Sequence, residues 1–164
     1  MKKWFIVIAC FAAIAMLAQS CKKEEQDFDV SLWNEINGGG YTYYIGTPGI
    51  TAAVGNSPHG FERVKFNAIA QQALGSDGKL PAGSTFPDGA VIVKEIFTDA
   101  NGTIELYAVM KKDPSSPVAG NGYEWAEFTP DGNAAFSTEK KGNGCISCHS
   151  GNPNRDLVLT FDLH

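Results

Sequence analysis

Ala90-Val91-Ile92-Val93-Lys94-Glu95-Ile96-Phe97-Thr98-Asp99-Ala100-Asn101-Gly102-Thr103-Ile104-Glu105-Leu106-Tyr107-Ala108-Val109-Met110-Lys111-Lys112 is the stretch that decides the architecture. Its first nine residues are rich in β-branched and aromatic side chains. Asp99-Ala100-Asn101-Gly102 then supplies a turn containing an Asn-Gly pair. Residues 103–112 return as a partner strand, so the whole reads as a β-hairpin. On the return strand Ile104, Leu106, Ala108 and Met110 alternate with Thr103, Glu105, Tyr107, Val109 and Lys111. The first set is expected to face the core and the second to face away.

The pattern extends on both sides. Residues 61–66 read as a strand, and residues 123–128 and 133–137 as a second hairpin around Thr129-Pro130-Asp131-Gly132. Residues 157–163 read as a last strand. Asn67 is expected to cap a helix over 68–74 that stops at Gly75. Ser31 is expected to cap a short helix through Leu32, Trp33 and Ile36, ended by Gly38-Gly39-Gly40. Residues 41–58, rich in Gly, Pro and Thr, read as loop with at most one strand. The expected fold is mainly β (α+β): an antiparallel sheet with a few short helices.

The chemistry lies in Cys145-Ile146-Ser147-Cys148-His149. Cys-x-x-Cys-His is the attachment signature of a c-type haem. Two thiols bond the macrocycle, and the adjacent imidazole meets the iron as an axial ligand. A zinc knuckle and a redox disulfide use similar cysteine pairs. Zinc wants four protein ligands, and this chain has three histidines and only two cysteines beyond the pair, both N-terminal. A thioredoxin-like pair would open a helix after a strand. This pair follows the loop Lys140-Lys141-Gly142-Asn143-Gly144. One covalent haem c, packed against the sheet, is the expected cofactor, with His149 as the metal ligand and Cys145 and Cys148 as its tethers.

Residues 1–20 read as an export signal: Lys2 and Lys3, then an apolar run from Trp4 to Leu17 that is short for a membrane span. Leu17-Ala18-Gln19-Ser20-Cys21 resembles a bacterial lipobox, although Gln19 stands where a smaller residue is usual and Leu17 one place early. An ordinary cleaved signal is the alternative. On the first reading Cys21 is lipidated and anchors the chain to the outer membrane, facing the periplasm or the cell surface. Residues 21–40 are then tether and N-terminal segment, and residues 41–164 the haem domain. Every cysteine has a role, Cys10 falling within the signal, and no structural disulfide remains to be placed. Removing two lysines from 13 basic residues leaves 11 against 18 acids, a formal charge of −7. No basic patch points to nucleic acid. An acidic surface suits a basic redox partner, and equally plain solubility.

The β-rich body, the late Cys145–His149 motif and Phe86-Pro87-Asp88-Gly89-Ala90-Val91-Ile92-Val93-Lys94-Glu95 together resemble the cytochrome P-460 family, which includes the cytochromes c-prime-beta. Lys112-Asp113 and Asp156-Leu157-Val158-Leu159-Thr160-Phe161 fit the same pattern, and the resemblance runs from about His59 to the C-terminus. It implies an antiparallel β fold, a homodimer, and one haem c with an open distal side that binds small nitrogen ligands such as nitric oxide. One branch oxidises hydroxylamine and joins a lysine to the porphyrin edge. The motif places that lysine on Lys94, and the family's pocket arginine on Arg63.

Lys94 shares a strand face with Ile92 and Ile96, where an ammonium needs a reason to sit. Attachment to haem or a link to a propionate is one; a lysine snorkelling to water from a strand end is the other. Hydroxylamine oxidation also needs a base. The register set by Lys112-Asp113 puts Ala108 where the oxidising members carry a carboxylate, and the inward stripe reads as wholly apolar. Met110 and His59 are rival sixth ligands, with a core methionine and an exposed turn histidine as the plainer readings. His164 is expected to fray.

Three functions follow in order: binding or transforming a small nitrogen species at five-coordinate haem, electron transfer with a closed sixth position, or hydroxylamine oxidation through a Lys94 cross-link. A catalytic version would be a haem-dependent oxidoreductase acting on hydroxylamine or nitric oxide.

Overall fold

A computed structural model describes residues 27–55, 57–151 and 153–164. The expected export signal, Cys10, Cys21 and residues 22–26 lie outside the described residues. Helix α1 (Phe28–Asn37) leads into strands β1 (Thr42–Tyr43), β2 (Thr51–Ala52) and β3 (Phe61–Phe66). Helix α2 (Ala68–Gln72) follows, then β4 (Val91–Phe97), β5 (Ile104–Lys112), β6 (Tyr123–Phe128) and β7 (Ala134–Phe136). A 3₁₀ turn (Thr138–Lys140) precedes α3 (Cys145–His149) and α4 (Thr160–Leu163). The strands form one antiparallel sheet in the order β1-β3-β4-β5-β6-β7, with β2 also paired to β3. The mainly β architecture with a few short helices is therefore as the sequence implied.

The central register decides which side chains share a face. Lys94 lies opposite Val64 on β3 and opposite Ala108 on β5, and Ala108 lies opposite Glu127 on β6. Phe66, Ile92, Met110 and Trp125 form the next row on that face. This face holds the larger core, in which Phe66, Phe86, Tyr123 and Phe161 are fully buried. Met110 is a core residue there, packed with its row.

The second face is also covered. Leu32 and Ile36 of α1 pack on Val91, Val93, Val109, Ala126 and Phe128, and Trp33 meets the rings of Tyr107 and Phe128 at 5.7 and 5.5 Å. Each valine, leucine or isoleucine so buried contributes about 1.5–3 kcal/mol. Val109 thus faces an apolar layer, contrary to the expectation from alternation. The burial of Val91, Ile92, Val93, Ile96 and Phe97 on both sides of β4 has the same cause, since a strand covered on both faces has no side to give to water.

Several boundaries differ from expectation. Helix α1 starts earlier, because Asp27 is its cap: the Asp27 carboxylate accepts from Val30 N at 3.1 Å. Ser31 lies inside the helix. Asn67 does cap α2, accepting from Ala70 N at 2.9 Å, but the helix ends after Gln72. The described residues of 41–58 contain two short strands, β1 and β2. Residues 157–163 are no strand: they run from a tight turn into α4. There the apolar residues pack as one turn of helix on the core, with Phe161 stacked 5.7 Å from Phe66.

Candidate functional site

The site begins at the loop before α3. Lys141 adopts φ +51°, and Gly142 and Gly144 adopt φ +68° and +95°. Gly142 lies flat on Trp125, where an added Cβ would come within 2.6 Å of Cδ1. Trp125 Nε1 in turn donates to the Gly120 carbonyl at 2.8 Å. The Lys- and Gly-rich loop is thereby pressed onto β6, and α3 leaves it with Cys145 and Cys148 one turn apart. The spacing puts both on one side of the helix, with His149 beside them. Cys145 is half-buried against the main core and Cys148 exposed, both as free thiols.

His149 is fixed at two points. Its ring meets the edge of Trp125 at 5.1 Å and 77°. Its Nδ1 lies 2.7 Å from the Leu157 carbonyl oxygen. A carbonyl only accepts, so Nδ1 carries the proton and Nε2 keeps its lone pair for a metal. Burial lowers the imidazole pKa, which keeps the ring neutral. Burial, with the Glu127 carboxylate, pushes the Cys145 thiol up.

One imidazole with an unprotonated Nε2, beside two thiols on a single turn, fits a covalently tethered haem. Among the described residues no group of three His, Cys, Asp or Glu side chains is arranged to hold a bare metal ion, so a zinc knuckle finds no further ligands.

Lys94 is on this same sheet face, half-buried between Ile92 and Ile96. It is neither free nor simply solvated: Nζ lies 2.8 Å from Glu62 Oε2. The other oxygen of Glu62 receives His164 Nε2 at 3.1 Å, so the terminal residue is pinned and does not fray. His59 faces Glu127, Nε2 to Oε1 at 3.8 Å. Burial first, then the Lys94 charge, lowers the His59 pKa, and burial raises that of Glu127.

The face is therefore not wholly apolar. Ala108 does stand opposite Lys94, but one strand further in the same row is a carboxylate, Glu127. Only the β5–β6 register reveals it, and no short-range pattern in the sequence does.

Arg63 lies on the other face. It pairs with Glu95, Nη2 to Oε2 at 2.6 Å, while Lys65 takes the second oxygen at 2.8 Å. Its guanidinium also stacks 4.1 Å from the Tyr43 ring centroid. Alternation sets this: Arg63 is opposite Glu95, and Glu95 and Lys94 point to different sides. The structure brings Cys145, Cys148 and His149 together, puts Lys94 on the sheet face against which they pack, and puts Arg63 on the other face.

Glu62, Asp156 and the Leu157 carbonyl are further polar groups around the site that the sequence reading assigned no role. Asp156 and Leu157 sit inside a stretch already singled out; Glu62 carried no signal beyond its strand position.

No curated protein matches this sequence. Residues 48–160, well over half of the chain, match the family described as Cytochrome P460.

Proposed function

Because the chain belongs to the cytochrome P-460 family, and so binds haem, we propose that it is a monohaem c-type cytochrome that binds or transforms a small nitrogen species such as nitric oxide. Cys145 and Cys148 would tether the cofactor and His149 Nε2 would ligate its iron. The haem, when bound, would supply an iron that takes up the small nitrogen ligand. The observation that carries the reading is the 2.7 Å contact from His149 Nδ1 to the Leu157 carbonyl, which presents Nε2 as a ready donor.

The chain's own residues argue against a porphyrin cross-link. Lys94 Nζ is engaged 2.8 Å from Glu62 Oε2, which supports an ion-paired lysine over one joined to a porphyrin edge. Hydroxylamine oxidation is the second reading, favoured by one observation. Glu127 is a carboxylate in the same row of the sheet face as Lys94, and burial raises its pKa.

The protein is further proposed to be exported, lipid-anchored through Cys21 to the outer membrane, and dimeric, with an acidic surface offered to a redox partner. Optical spectra of the purified oxidised and reduced protein, with and without nitric oxide, test the functional reading. A high-spin spectrum with ordinary haem c bands that changes on adding nitric oxide is expected. A low-spin spectrum indifferent to the gas overturns it.

A further inference from the structure

The turn after α3 is built against its own residue preferences. Arg155 and Val158 exchange two backbone hydrogen bonds of 3.0 Å, closing a two-residue hairpin. Its central residues, Asp156 and Leu157, have φ +50° and +68°. Two consecutive left-handed residues define the type I′ geometry that Asn-Gly or Asp-Gly normally fills. Asp is tolerated in the left-handed region, but Leu at the second position is strained. Such strain persists only where surrounding contacts over-determine it, and it clusters at functional sites.

Those contacts converge on Asp156. Its carboxylate accepts from Phe86 N at 2.8 Å, from Tyr123 Oη at 2.7 Å, and from Lys112 Nζ at 3.0 Å on both oxygens. Its backbone carbonyl accepts from Tyr123 Oη as well, at 3.1 Å. Asn154 Oδ1 accepts from Leu157 N at 3.0 Å. The segment before β4 and strands β5 and β6 thus all reach one turn, and the ion pair is largely shielded from water. The group this clamp leaves projecting is the Leu157 carbonyl, 2.7 Å from His149 Nδ1.

We propose that Lys112, Asp156 and Tyr123 form a positioning cluster for the axial imidazole. They hold the strained Asp156-Leu157 turn in the one conformation that aims the Leu157 carbonyl at His149 Nδ1. None of the three touches the iron; they act through the backbone. The inference rests on the reading of His149 as the axial ligand. A well-held Nδ1–H···O bond makes the imidazole a stronger donor and favours the ferric state. Loss of outer partners of this kind changes metal-ligand equilibria by about 10–100-fold.

The test uses the full chain matured in a host with cytochrome c assembly machinery. Wild type, Asp156→Asn, Tyr123→Phe and Asp29→Asn are compared for covalent haem, thermal midpoint, iron midpoint potential and the iron–imidazole stretching frequency. Asp29 is the control: it anchors Thr138 to α1 through bonds of 2.8 and 2.7 Å. Asp156→Asn is expected to favour the ferrous state about tenfold, a rise of ~59 mV, with a lower stretching frequency. Tyr123→Phe, which keeps the Lys112 pair, should shift both the same way by less, and it gives the answer if Asp156→Asn does not accumulate. Asp29→Asn should lose stability alone.

Loss of stability in all three variants, with potential and stretch unchanged, makes the cluster a mere anchor and overturns the proposal. A wild type without covalent haem is a different failure: it removes the axial-ligand reading and this inference with it.

Discussion

Lys94 and Glu62 meet diagonally across β3 and β4, Nζ to Oε2 at 2.8 Å, with His164 on the other carboxylate oxygen. The Glu62 side chain is almost wholly buried, at 3% exposure, so its charge depends on these two partners. Lysine committed in this way is a salt-bridge residue. The wild-type reduced Soret band should therefore be that of ordinary haem c, and Lys94→Met should not move it. The same variant leaves Glu62 with His164 alone and should cost roughly 2 kcal/mol in denaturant unfolding. A red-shifted wild-type band that Lys94→Met abolishes would show a cross-link instead.

A pH dependence follows on the opposite side of the sheet. Burial, then the neighbouring Glu35 carboxylate, pushes the Tyr41 phenol up to about 12. The unfolded chain releases that proton near pH ~10. Between about 10 and 12 the folded state therefore binds more protons, and its stability falls as pH rises through that window. Tyr41→Phe should flatten this part of the stability curve. Tyr41 packs with the α1 layer, away from α3, so the effect should be the same in haem-loaded protein. An identical slope in the variant would contradict the assignment.

The C-terminal turn of helix closes the core. Phe161 is fully buried and stacks on Phe66 with an interplanar angle of 6°, and Lys79 Nζ donates to its carbonyl. Phe161→Ala should destabilise the fold by about 3–5 kcal/mol in urea unfolding, the range for a fully buried aromatic. Phe161→Leu should cost less, under ~1.5 kcal/mol, because volume is largely kept. Equal and small losses in both variants would mean that α4 is not a part of the core.

The two readings most legible in the sequence were those with a local cause. Asn101-Gly102 marked the β4–β5 hairpin, and in its register Ala108 lies opposite Lys94. The Cys145–His149 spacing is equally local, because the signature from which haem attachment is proposed lies within five residues. What stayed hidden was long-range. Alternation along β5 marked Val109 as outward, yet α1 covers that face, and no feature of β5 alone reports a helix packed from residues 28–37. Glu127 entered the Lys94 row only through the pairing of β5 with β6. Arg63, matched by resemblance, went to the other face because alternation separates it from Val64, and Val64 lies opposite Lys94. Leu157, expected to open a strand over residues 157–163, instead sits in a turn at φ +68°, a conformation that Leu rarely accepts. A locally disfavoured conformation, held by distant side chains, is invisible to local propensity.

Membrane attachment is testable apart from the fold. Incorporation of labelled fatty acid into the full chain is expected, and Cys21→Ala should abolish it and release the protein from the membrane fraction. Cleavage with no label incorporated would make residues 1–20 an ordinary export signal.

The central claim is that Cys145 and Cys148 carry a haem whose iron His149 ligates. Intact mass of the protein matured with cytochrome c assembly machinery tests it most directly. The account predicts the polypeptide mass plus one haem, unchanged by denaturation, and loss of that addition in Cys145→Ala/Cys148→Ala. A colourless product with the mass of the bare polypeptide would contradict it.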